Sequence, residues 1–60
     1  MSPHQYVLLR RTEKAKELLS NTRHGLLRIA QEVGFGSQSH FSQVFHAITG
    51  KTPSKFRQSE

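Results

Sequence analysis

The chain has 60 residues, no cysteine, no aspartate, and nine lysines and arginines against four glutamates, a net charge of +5. A single small domain is the limit at this length, burying only about 60% of the surface its unfolded chain exposes, and no disulfide or thiolate metal site can reinforce it. Four scattered carboxylates (Glu13, Glu17, Glu32, Glu60) are too few for paired-carboxylate catalysis, a Ser-His-Asp triad or an Asp-rich cation loop, so an enzyme is not expected and no cofactor is implied. The positive surplus points instead to a polyanion, either nucleic acid or an anionic membrane. Leu, Ile, Val and Phe make up 15 residues, above the roughly one fifth below which disorder is the default; the chain reads as a folded basic module.

The longest strictly apolar run, Val7-Leu8-Leu9, falls far short of the roughly 20 residues that span a bilayer. The N-terminus lacks a signal-peptide core, and a cytoplasmic setting is the plain expectation. Pro3, Gly25, Gly34, Gly36, Gly50 and Pro53 divide the chain into four segments, all with helical character and none with sustained alternation. The fold class expected is therefore all-α, a small helical bundle spanning residues 1–60.

The first segment is predicted to be helical from Ser2 to Leu19, assigned as residues 1–20. Ser2-Pro3 supplies a hydroxyl cap and a proline at the first helical position. Leu8, Arg11, Ala15, Leu18 and Leu19 form its inward stripe, and Arg10–Glu13 and Lys14–Glu17 are spaced to pair weakly. Arg11, lying on that stripe, is expected to make a structural hydrogen bond or ion pair. The second segment, Leu26 to Val33, carries Leu26, Ile29, Ala30 and Val33 at i, i+3, i+4 and i+7; Gly25 is its cap and Gly34 its left-handed stop. Phe35-Gly36-Ser37 turns the chain into the third segment, Gln38 to Thr49, where Phe41, Val44, Phe45 and Ile48 repeat the same stripe and Gly50 ends it. Thr52-Pro53 opens a short closing helix, 52–59, with Phe56 and Arg57.

Two short amphipathic helices around a tight glycine turn (26–49) form a helix-turn-helix pattern. Ala30, four residues before Gly34, provides a small residue where the helices cross, and Phe35 plugs the core after a turn one residue longer than in the tightest bacterial version. The stripes alone equally describe a helical hairpin that merely packs; the basic charge favours DNA. Ile29-Ala30, Val33-Gly34-Phe35, Ser37-Gln38-Ser39-His40-Phe41, Phe45, Gly50, Thr52-Pro53 and Phe56-Arg57 closely resemble the C-terminal signature of the AraC/XylS transcription regulators, and Pro3, Tyr6, Arg11, Ala15 and Leu18-Leu19 are similar to the linker helix before it. The resemblance implies a domain of about a hundred residues with two helix-turn-helix units placing recognition helices in adjacent major grooves. This chain looks like its second half: linker helix, second unit, closing helix. The sequence departs from the pattern at Gln43 (usually Arg), His46 (usually Lys or Arg), Thr12 (usually apolar) and Phe56 (often Tyr).

On the third segment, Ser39, Gln43 and His46 lie opposite the core stripe, with His40, Ser42 and Ala47 on the flanks. The N-terminal part of a recognition helix enters the groove, so Gln38, Ser39, His40 and Gln43 are the candidates for base edges. Glutamine pairs bidentately with adenine. Arg23, Arg28, Ser42, His46, Lys51 and Thr52 are the candidates for phosphates, with Arg28 near the start of the second segment and Lys51 and Thr52 at the approach to the last. His40 and His46, six apart with no cysteine or aspartate to complete a shell, are not expected to hold a metal. The four phenylalanines fall at core spacing rather than on a stacking platform.

The expected function is sequence-specific binding of double-stranded DNA within a bacterial regulator, with RNA polymerase a further partner of the full-length protein and neither a membrane nor a small molecule bound by this stretch. The rival reading is a degenerate helical module that acts through protein–protein contact. With no Lys or Arg between Gln38 and Thr49, binding by the chain alone is expected to be weak.

Overall fold

The computed structural model describes residues 1–59. Four helices follow in order: α1 (Pro3–Asn21), α2 (Leu26–Val33), α3 (Gln38–Thr49) and α4 (Pro53–Ser59). The all-α class and the arrangement of a long helix, a helix-turn-helix and a closing helix are as the sequence predicts.

Short-range chemistry starts and stops each helix. At α1, the Gln5 amide donates to Ser2 Oγ (3.2 Å) and the Ser2 amide to Gln5 Oε1 (3.1 Å), a reciprocal capping box with Pro3 inside it. The helix runs past Leu19 to Asn21, where the amide and hydroxyl of Thr22 both donate to the Leu18 carbonyl (3.0 and 2.6 Å). At the end of α2, Gly34 takes φ +104°. Its amide donates to Gln31 O and that of Phe35 to Ala30 O (2.8 Å), the paired bonds of a Schellman stop. Ser37 Oγ accepts the His40 amide to start α3, and Thr52 Oγ1 accepts that of Lys55 to start α4.

A glycine matters most at position 34. A Cβ there would sit 3.0 Å from Arg11 Nε, in a left-handed backbone besides. Gly34→Ala is expected to cost about 1–2 kcal/mol, lowering the thermal midpoint by about 4–8 °C per kcal/mol. Gly25 presents the contrast: it caps α2 at φ −65° without a side-chain bond, and nothing lies within 4 Å of a Cβ built on it. Gly25→Ser adds a cap and stiffens the unfolded chain, so a gain of about 0.5–1 kcal/mol is expected. Paired thermal melts check both signs.

The core is a file of phenylalanine rings, from Phe35 to Phe41 (5.4 Å between centroids), to Phe45 (5.7 Å), to Phe56 (5.4 Å). Ala15 and Leu19 of α1 and Ile29, Ala30 and Val33 of α2 close around it. These helices hold α3 by one side and leave the other to solvent.

Two expectations about side chains are corrected, and one departure is explained. Thr12, at a position where the resemblance puts an apolar residue, is fully buried; its hydroxyl donates to its own helix at Leu8 O (2.9 Å), so that hydroxyl is not left orphaned. Ile48, expected in the core, is 38% exposed, because the buried arc of α3 is centred on Phe41 and Phe45. Glu13 pairs with Lys16 (3.3 Å) in place of Arg10, beside the expected Lys14–Glu17 pair (3.4 Å); exposed pairs of this kind contribute little.

Candidate nucleic-acid interface

Gln38, Ser39, His40, Gln43 and His46 of α3 are exposed. With Phe41 and Phe45 facing the core, Ser39, Gln43 and His46 follow one another at spacings of four and three along the opposite side. Of the four residues read from the sequence as base contacts, Ser39 and Gln43 share this open side; Gln38, three residues before Phe41 and seven before Phe45, stands on the core side of the helix and is exposed at its first position. His40 sits at the edge of the open side: its ring meets Phe35 at 5.3 Å and 85°. Ser42 is half-buried on the flank.

The cations read as phosphate contacts lie on other elements, Arg23 in a recess with Leu19, Ser20, Thr22 and Arg57. Arg23, in the loop before α2, and Lys51, before α4, are both exposed. Arg28, on the first turn of α2, is engaged: its Nε donates to Glu32 Oε1 at 3.0 Å. The other oxygen of Glu32 lies 3.8 Å from His24 Nδ1, a buried nitrogen with no hydrogen-bond partner. Thr52 is exposed, its oxygen already taken by the Lys55 amide. The three cations thus lie outside α3 in the sequence, and one of them, Arg28, is partly neutralised by a carboxylate on its own helix.

Two arginines have roles the sequence reading missed or misassigned. Arg57, read from the sequence as part of the closing helix and of the family signature but given no role, donates from Nε to Leu19 O (3.2 Å) and from Nη2 to Thr22 O (3.4 Å). It satisfies carbonyls at the end of α1 and ties the first helix to the last. Arg11 makes neither the hydrogen bond nor the ion pair expected of it among the described residues; its guanidinium carbon lies 5.6 Å from the centre of the Phe35 ring, within cation–π range. Its place on an apolar stripe was the only signal available.

Between the N-terminal half of α1 and the flank of α3 runs an apolar groove of about 390 Å³, lined by Leu8, Leu9, Val44, Ala47 and Ile48 among others. It accounts for the exposure of Ile48. Among the described residues, no three His, Asp or Glu side chains gather as a metal site, and no helix is long and apolar enough to cross a membrane.

A long helix supporting a two-helix unit, one face of its second helix polar and open, defines a helix-turn-helix module. The comparisons with known proteins agree. A model described as a helix-turn-helix domain matches residues 1–59. The chain is 42% identical over 57 residues to a probable transcriptional regulator, LumQ, of Photobacterium leiognathi, covering 95% of this chain and 23% of that protein. It is 47% identical over 47 residues to the arabinose operon regulatory protein of Escherichia coli, covering 78% and 16%. Among solved structures, the C-terminal domain of AraT, a response regulator from Geobacillus stearothermophilus, superposes with a TM-score of 0.97 at 33% identity over 100% of this chain and 50% of that one. The chain belongs to the AraC/XylS family, and it spans about a fifth of the length of the curated relatives it matches.

Proposed function

We propose that this chain binds double-stranded DNA as one helix-turn-helix unit of an AraC-type transcription regulator, with α3 in the major groove. The observation that carries the reading is the polar row on α3: exposed side chains at helical spacing, on a helix whose other side is locked by two fully buried phenylalanines. A rigid element presenting hydrogen-bonding groups without apolar neighbours suits base edges. Gln38, Ser39, His40 and Gln43 are assigned to bases, and Arg23, Arg28, Ser42, His46, Lys51 and Thr52 to phosphates. RNA polymerase is a further partner of the whole regulator, which acts on the chromosome in the bacterial cytoplasm. Family membership and the TM-score support the reading.

The test is a salt titration of binding to duplex DNA. Each phosphate neutralised by Lys or Arg contributes about −0.9 to the slope of log affinity against log salt. Arg23, Arg28 and Lys51 together give a slope of about −2.7, so affinity falls about fortyfold between 50 and 200 mM salt. A flat titration, or no binding at low salt, overturns the reading.

A further inference from the structure

We propose that Arg11, on α1 and away from the DNA-reading face, is a positioning residue for that face: acting through Phe35, it fixes the imidazole of His40 and thereby contributes to base discrimination. The proposal rests on the assignment of α3 as the reading helix.

Phe35 is the link. It is 4% exposed, and its amide is anchored on Ala30 O at 2.8 Å. Its ring is hemmed in by three groups. Phe41 lies 5.4 Å away, tilted by 41°. His40 stands nearly perpendicular, 5.3 Å away. Arg11, the one member from outside the helix-turn-helix, approaches with its guanidinium at 5.6 Å. The left-handed Gly34 makes room for this approach, since a Cβ there would meet Arg11 Nε at 3.0 Å. Among the described residues, Arg11 has no ion pair: Glu13 is held by Lys16, Glu17 by Lys14 and Glu32 by Arg28. Its charge is directed at the aromatic face instead.

His40 is the outer end of this contact chain. Its backbone is set by the Ser37 cap, and its ring is exposed to solvent on the side away from Phe35. An exposed histidine on a helix samples several rotamers, and each must be given up on binding. The perpendicular packing on Phe35 selects one beforehand. With Arg11 removed, Phe35 gains room to turn and the support behind His40 is lost, although no atom of the reading face has changed. An ordinary packing role for Arg11 would change stability and leave discrimination alone; a positioning role changes discrimination at the one base pair that His40 faces.

The experiment uses the 60-residue chain with Arg11→Met, which keeps the length and loses the cation, and Arg11→Lys, which keeps the cation. The His40 ring-proton resonances are recorded by NMR, where the ring current of Phe35 marks the contact. Base preferences are measured by selection from a pool of randomised DNA duplexes. Expected for Arg11→Met is a shift of the His40 resonances towards those of a solvent-exposed histidine, and a loss of discrimination of up to about tenfold at the same position that His40→Ala relaxes. Adding Arg11→Met to His40→Ala is expected to change nothing further, and Arg11→Lys to retain most of both signals. Unmoved His40 resonances in a folded Arg11→Met protein overturn the positioning, as does a loss spread evenly over all positions or additive with His40→Ala. If Arg11→Met does not fold, Phe35→Leu, which removes the ring and keeps an apolar side chain, has to relax the same position, and its failure to do so is equally decisive. Absence of duplex binding by the parent chain overturns the DNA reading and the discrimination with it, whereas the NMR arm judges the Arg11–His40 coupling by itself.

Discussion

Phe45→Ala is expected to leave the chain unfolded at 25 °C. Phe45 has no exposed surface, and its ring stands between Phe41 at 5.7 Å and Phe56 at 5.4 Å, both edge-on. It is the joint through which α3 grips the closing helix. Truncating a buried phenylalanine costs about 3–5 kcal/mol in lost transfer energy and residual cavity. A single core in a domain this small supplies about 3–5 kcal/mol in total, and the chain has no cysteine with which to add a disulfide. The cost therefore consumes the whole stability. Far-UV circular dichroism against temperature is the measurement: helical signal should be low at 25 °C, with no cooperative transition above it. Ile48→Ala is the matched control. Its side chain shares the helix and the apolar character but stands 38% exposed at the groove, so its cost should stay below about 1.5 kcal/mol. A cooperative melt for Phe45→Ala close to that of the parent would refute the aromatic file as the source of stability.

Gln43→Arg is expected to tighten DNA binding and to redirect it. Position 43 is exposed and lies on the open side of α3, so the exchange should change stability by less than about 0.5 kcal/mol. Glutamine suits adenine, through N6 and N7; arginine forms a bidentate pair with guanine O6 and N7, worth about 1–3 kcal/mol of discrimination. That corresponds to roughly 5- to 150-fold between guanine and the other bases at one position. It also places the first Lys or Arg on a helix that has none from Gln38 to Thr49. Selection from randomised duplexes, run on parent and variant, should show adenine giving way to guanine at one position. An unchanged preference with unchanged affinity would show that Gln43 does not face the groove.

The helix-turn-helix was legible almost to the residue. Leu26–Val33 and Gln38–Thr49 stand where the stripes and stops placed them, because each signal is confined to a few neighbours: a serine whose hydroxyl reaches an amide three residues on, a glycine free to take positive φ. The overrun of α1 to Asn21 has the same local character, since the Thr22 hydroxyl reaches back four residues to Leu18. The composition of the open face was also legible, since a stripe of apolar residues leaves only one side of a helix for Ser39, Gln43 and His46. What could not be read was how far each helix is rotated about its own axis once packed. A stripe defines its centre to within about one residue, and that margin separates Thr12 buried from Thr12 on the rim, and Ile48 in the core from Ile48 at the groove.

The sequence by itself determined the helices, their caps, the glycine stop at the turn and the polar row on α3, since backbone hydrogen bonding and side-chain periodicity are settled within four or five residues of one another. Only the tertiary structure decided the work of two arginines. Arg57 reaches Leu19 across 38 positions, and Arg11 lies over Phe35 from another helix. A guanidinium on a long flexible stem carries no periodic signature, and it goes to whichever carbonyl, ring or carboxylate the packed helices bring within its reach.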